Sequence, residues 1–152
     1  ANQAAAFAEG GLIQAMNRVN KSEEDEQFFE LFKGWRRGCY EANIDKMYAW
    51  VEEISARSFG REKQKRFLEY ALEVMREGMI RNYADSDLQR FDGETEGFMQ
   101  KFAPFVHGNN VIGIMELLDE AHHHVSRNAY AKILFMDMSM RFANLLRVKK
   151  GV

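Results

Sequence analysis

This 152-residue chain holds one cysteine, one proline and no surplus of positive charge. Each scarcity excludes something. Cys39 has no second thiol to pair with, so no internal disulfide is possible, and a reducing, cytoplasmic setting is expected. No apolar run approaches the ~20 residues that a membrane-spanning helix needs. No signal-peptide pattern is present. The formal net charge of -2 argues against a dedicated nucleic-acid binder, whose affinity rests mainly on neutralising phosphates. Catalytic signatures are missing too: there is no Gly-x-Ser-x-Gly elbow, Cys-x-x-Cys pair, phosphate loop or dinucleotide fingerprint. The chain begins Ala1-Asn2-Gln3 without a methionine, so it is expected to be a piece of a longer protein.

What is present is helical periodicity. Strand-like alternation is rare, and the lone proline leaves long stretches free to wind, so one nearly all-α domain is expected. A chain of this size buries roughly 68–70% of its unfolded surface and needs no staple. Ala1 to Ala8 reads as the end of a helix stopped at Gly10-Gly11, and a short helix runs from Leu12 to about Val19. That arm either docks on something or frays. Ser22 is a good N-cap, and Glu23 to Glu26 place negative charge at the positive end of the next helix, which explains the acidic run without a metal. Phe28, Leu31, Phe32, Trp35 and Cys39 then form an apolar stripe. Asn43 caps a helix with Ile44, Met47, Tyr48, Val51 and Ile54 facing inward. From Arg61 another helix places Phe67, Leu68, Ala71, Met75 and Met79 on one face, with Gly78 allowing a close crossing. Asn82 to Gly97 reads as irregular. Its Asp85-Ser-Asp87 start lacks the glycine that a calcium loop needs at the sixth position, where Arg90 stands. Phe98 to Phe105 resumes a helix that Pro104 helps to stop, and Gly108-Asn109-Asn110 is a turn and cap.

The densest signal is the final pair of helices, from Val111 to Leu146, with a break at Arg127-Asn128-Ala129. On the second of them Ile133, Met136, Met140 and Ala143 form one line, and Leu134, Met138, Phe142 and Leu145 another. A surface helix needs a single apolar stripe. Two stripes mean burial among several neighbours, or one for the core and one for a partner.

Two clusters invite chemistry. His122, His123 and His124 are consecutive, so their side chains diverge by about 100° and cannot converge on one ion. Glu120 and His123 make one Glu-x-x-His pair, but a di-iron bundle needs a second pair on another helix. A metal-binding or enzymatic bundle using Glu116, Glu120 and His123 is the alternative reading, and His122 fits a histidine at the core edge with a hydrogen-bonded ring. Arg57, Arg61, Lys63, Lys65 and Arg66 form a basic patch. It reads as a solvated face, with contact to an acidic partner or to DNA phosphates left open.

Ser126-Arg-Asn-Ala-Tyr-Ala-Lys-Ile-Leu-Phe-Met-Asp-Met-Ser-Met-Arg-Phe-Ala-Asn-Leu-Leu146 resembles the last segment of bacterial clamp-loader subunits of the delta-prime type, where an Arg-Asn-Ala-Asn-Pro-Lys-like break precedes a leucine-rich helix. Here Tyr130 and Ala131 stand where Asn and Pro are common. Phe32-Lys-Gly-Trp-Arg-Arg-Gly-Cys-Tyr40 and Arg61-Glu-Lys-Gln-Lys-Arg-Phe-Leu-Glu-Tyr-Ala-Leu72 are similar to the same family. Ala4-Ala-Ala-Phe-Ala-Glu-Gly-Gly-Leu-Ile-Gln-Ala-Met16 resembles the end of an AAA+ lid. The resemblance implies an all-α collar-type bundle of five or six helices over residues 21–152, preceded by a lid remnant over 1–20. It implies a non-catalytic role: holding a DNA polymerase III clamp loader together while it loads the sliding clamp onto primer-template DNA. ATP hydrolysis would belong to other parts of that complex. The implied partners are the gamma/tau and delta subunits, with DNA met only through the assembly, and no cofactor, membrane or small-molecule substrate. Phe135, Met138, Arg141, Phe142 and Leu145 are the expected subunit contacts.

Overall fold

The computed structural model describes residues 23–83 and 93–149. Every regular element among them is a helix: α1 over residues 23–40, α2 Ile44–Ile54, α3 Arg61–Tyr83, α4 Gly93–Phe102, a 3₁₀ turn Ala103–Phe105, α5 Val111–Ser126 and α6 Ala131–Leu146. The expected all-α bundle is therefore what the chain forms. The N-terminal arm, the Ser22 cap and the Asp85-Ser-Asp87 stretch lie outside the described residues.

The helices start and stop for local reasons. Asn43 caps α2 by accepting the Lys46 N–H at 3.1 Å, which satisfies a donor that has no partner within the helix. Gly60 precedes α3 with φ of +81°, a left-handed conformation that suits glycine. Between α5 and α6, Asn128 takes φ of +64°, and asparagine tolerates that region better than most side chains. The break expected at Arg127-Asn128-Ala129 is thus a real reversal. Asn110 begins α5, but its side chain does not cap it. Instead Asn110 accepts the His107 N–H at 2.9 Å and donates to the carbonyls of Phe105, at 2.8 Å, and Leu145, at 3.2 Å. It ties the turn before α5 to the end of α6.

One core joins all six helices. Its centre is aromatic: the Trp35 ring stacks on Phe142 at 3.9 Å between centroids and on Trp50 at 5.5 Å. Phe32, Phe98 and Phe102 extend the cluster through edge-to-face and stacked contacts. α5 packs along α3 and α6, and α6 also meets α2. At Gly113 an added Cβ would stand 2.9 Å from Leu145 Cδ2, so glycine there lets α5 and α6 approach closely. Gly78 was the expected close-approach position. It faces Val106 at ordinary contact distance, so its neighbour is the segment after the 3₁₀ turn, not a crossing helix.

Three further expectations are corrected. Ile44 and Tyr48 are exposed, and Trp50 turns inward in their place, because α2 meets the core over a narrower arc than its apolar residues span. Met79 is exposed while Val74 is buried. α4 starts at Gly93 and runs through Gly97, inside the span read as irregular. Its tie to α3 compensates for the two glycines: Arg81 donates two bonds of 2.6 Å to the buried Glu96 and one of 3.3 Å to Glu77. The Glu96 carboxylate accordingly holds the Arg81 pKa above its ordinary value.

The Trp35 and Cys39 donors both find acceptors on α6. Ser139 is fully buried on α6; it accepts the Trp35 Nε1–H at 2.9 Å and donates to the Phe135 carbonyl at 2.7 Å. The Cys39 thiol donates to the Ser139 carbonyl at 3.3 Å, and burial pushes its pKa up to about 12. Two outcomes are expected. Ser139→Ala leaves the indole N–H without an acceptor and costs about 1–3 kcal/mol in urea denaturation. Cys39 in the native protein stays unreactive toward an aromatic disulfide reagent at about pH 8 and reacts only once the chain unfolds, because the thiolate is the attacking species.

Candidate functional site

The outer side of α6 is where apolar surface remains. The expected interface residues divide on this point. Phe135, Met138 and Phe142 are buried by their own chain, so they are core residues and not anchors for a partner. The physical reason is the Trp35 column: α6 turns its phenylalanines toward α1 and α2, where they meet Trp35 and Trp50. Leu145 is half-buried over Gly113. Arg141 is exposed and pairs with Asp137 one turn back at 3.0 Å.

What α6 leaves outside is part of the other line, since Ala143 is buried and Met136 is half-buried against the core. Ile133 is 69% exposed and Met140 50%, and Tyr130, just before the helix, is 65% exposed. The reading that the last helix carries more apolar surface than its own fold covers therefore stands, with different residues carrying it. A groove of about 350 Å³ runs between α5 and α6, lined by Leu117, Ala121, Tyr130, Ile133 and Leu134, with Glu120, His124, Asp137 and Arg141 among its polar wall. On the neighbouring helix, Ile44 and Tyr48 are 55% and 58% exposed and one turn apart. Lys132 pairs with Glu52 at 3.1 Å, and Lys132 and then Tyr48 hold that carboxyl below its usual range. The Tyr48 ring thus stands beside the first turn of α6.

The histidines do not converge. His122 is half-buried, and its Nε2 lies 3.2 Å from Glu69 of α3, as a core-edge histidine should. His123 and His124 are exposed, and His124 sits 3.7 Å from Glu120. Glu116, Glu120 and His123 share only the outer surface of α5. Among the described residues, no three His, Cys, Asp or Glu side chains are placed to hold a metal ion. His107, which carried no role in the sequence reading, is buried; its Nδ1 accepts the Asn109 N–H at 3.2 Å, so Nε2 donates to the Val148 carbonyl at 3.0 Å. It anchors the segment after α6.

The basic patch also divides. Arg66 donates to both Glu24 oxygens, at 2.6 and 3.2 Å, Lys65 pairs with Glu62 at 3.0 Å, and Lys63 lies over the Phe59 ring at 4.9 Å. Arg57 and Arg61 are exposed and form no ion pair among the described residues.

No described helix is long and apolar enough to cross a membrane. No family model matches the chain, and neither the curated proteins nor the solved structures contain a significant match to it.

The division of α6 has a direct consequence for mutants. Phe142→Ala is expected to cost about 3–5 kcal/mol, as truncation of a buried aromatic does. Ile133→Ser and Met140→Ser should change stability by less than about 0.5 kcal/mol. Chemical denaturation of the three variants checks both expectations.

Proposed function

We propose that this chain is a non-catalytic assembly domain, whose outer α6 face packs against a sister subunit. One observation carries this reading. Tyr130, Ile133 and Met140 stay exposed on a helix whose inner side is already filled by its own core. Exposed apolar surface bordered by polar groups marks interaction sites more often than chance. The border here is the Lys132–Glu52 pair at 3.1 Å on one flank and the Arg141–Asp137 pair on the other.

The finer reading follows the sequence resemblance: the collar of a replication clamp loader, with the chain in the delta-prime position beside gamma/tau and delta subunits. A collar needs a helical body with apolar surface left over for a neighbour, and it needs no active site. ATP hydrolysis and clamp opening would lie with the ATPase modules of the complex.

The test is co-elution from a sizing column with ATPase-bearing clamp-loader subunits at micromolar concentration. The wild-type chain should shift into the complex, and Ile133→Glu with Met140→Glu should not, while melting at the wild-type temperature. A wild-type chain that elutes alone, also as part of the longer subunit, overturns the reading. The metal-bundle alternative predicts stoichiometric iron, manganese or zinc by elemental analysis, and it lacks a ligand cluster among the described residues.

A further inference from the structure

The two arginines left unpaired by the basic patch share a cleft. It measures about 420 Å³ and is lined by Arg57, Gly60 and Arg61 on one side and by Asn128, Tyr130 and Lys132 on the other. The turn before α3 thus faces the turn before α6, two segments about seventy residues apart in the chain. No acidic side chain lines this cleft. Outside its lining, Glu52 pairs with Lys132, and Glu62, beside Arg61 in the chain, pairs with Lys65.

Aromatic surface adjoins the cations. Tyr130 is exposed in the cleft, and Lys132 stands within electrostatic range of both Tyr130 and Tyr48. The first residues of α3 and α6 also line the walls, and the positive ends of their helix dipoles add to the field of the arginines. Guanidinium groups match phosphate oxygens in a planar, two-point geometry. Exposed rings beside a cationic groove are how single strands are held without reading sequence: phosphates meet the cations and bases stack on the rings.

We propose that this cleft binds the phosphate backbone of a single-stranded nucleic acid, with Arg57 and Arg61 on phosphate and Tyr130 under a base. The whole chain carries no positive surplus, so the binding is local and weak, with a dissociation constant on the order of 10⁻⁴ M at physiological salt, the weak end of non-specific complexes, and tighter at low salt. An acidic peptide would satisfy the arginines but leave the ring without a stacking partner, which favours a nucleic acid.

The site does not depend on the assembly reading, since it is measured on the full chain alone. The probe is a fluorescein-labelled oligothymidylate of about 12 nucleotides, within the span of known single-strand sites, followed by anisotropy at about 50 mM salt and above. The expected result is saturable binding whose logarithm falls with the logarithm of salt at a slope near -1.4, for two phosphates neutralised on a single strand. Arg57→Gln with Arg61→Gln should weaken binding at least tenfold and flatten that slope. Tyr130→Ala should weaken it about fivefold or more, the loss of one stacked base. All three positions are exposed, so the variants should melt with the wild type. The proposal is overturned by absence of binding, by a double arginine variant that binds like wild type, or by polyglutamate of equal charge displacing the oligonucleotide as readily as unlabelled oligothymidylate does.

Discussion

The indole of Trp35 sets the terms for the whole domain. It lies stacked on Phe142 from α6 and on Trp50 from α2, and it is itself on α1. A ring that large excludes water from the meeting point of three helices, and a buried indole N–H must then find an acceptor within the protein. Ser139 is that acceptor. The pairing fixes the rotation of α6 about its own axis. With Ser139 held inward, Phe135 and Phe142 go in with it, at four and three residues' remove on the same side. Ile133 and Met140 must then face out. The exposed apolar line on α6 is a geometric result of satisfying one donor in the core.

This is also where the sequence could be read and where it could not. The helical pattern, the Asn43 cap, the turn at Arg127-Asn128-Ala129 and the stripe from Phe28 to Cys39 depend on neighbours a few residues apart, so local spacing reveals them. The choice between the two apolar lines of α6 depends on Trp35, about a hundred residues away. The resemblance offers Phe135 and Phe142 to a partner, and local spacing carries no sign that Trp50 and Trp35 cover them. The α4 start was hidden for a related reason. Gly93 and Gly97 look like helix breakers, and the ion pair of Glu96 with Arg81 that holds the segment is a tertiary contact. In the basic patch, the partners that occupy Arg66 and Lys63 are Glu24 and Phe59. Only the folded arrangement separates those cations from Arg57 and Arg61.

The two surfaces assigned to function meet at a single turn. Tyr130 and Ala129 line both the α5–α6 groove and the basic cleft. A sister subunit seated on the outer α6 face and a strand lying in the cleft would therefore touch the same side chain, and each would change the affinity of the other by an equal factor. The backbone of the turn is hydrogen-bonded on both sides. The N–H groups of Arg127 and Ala129 both bond the His124 carbonyl at 3.1 Å, the Asn128 N–H bonds Val125 at 3.2 Å, and the Leu134 N–H closes the first turn of α6 on Tyr130. With the backbone held on both sides, the Tyr130 side chain stands 65% exposed and lines both surfaces. Coupling would then run through competition for that ring and through the charge of Lys132 beside it, which makes the two occupants rivals wherever both need the ring uncovered.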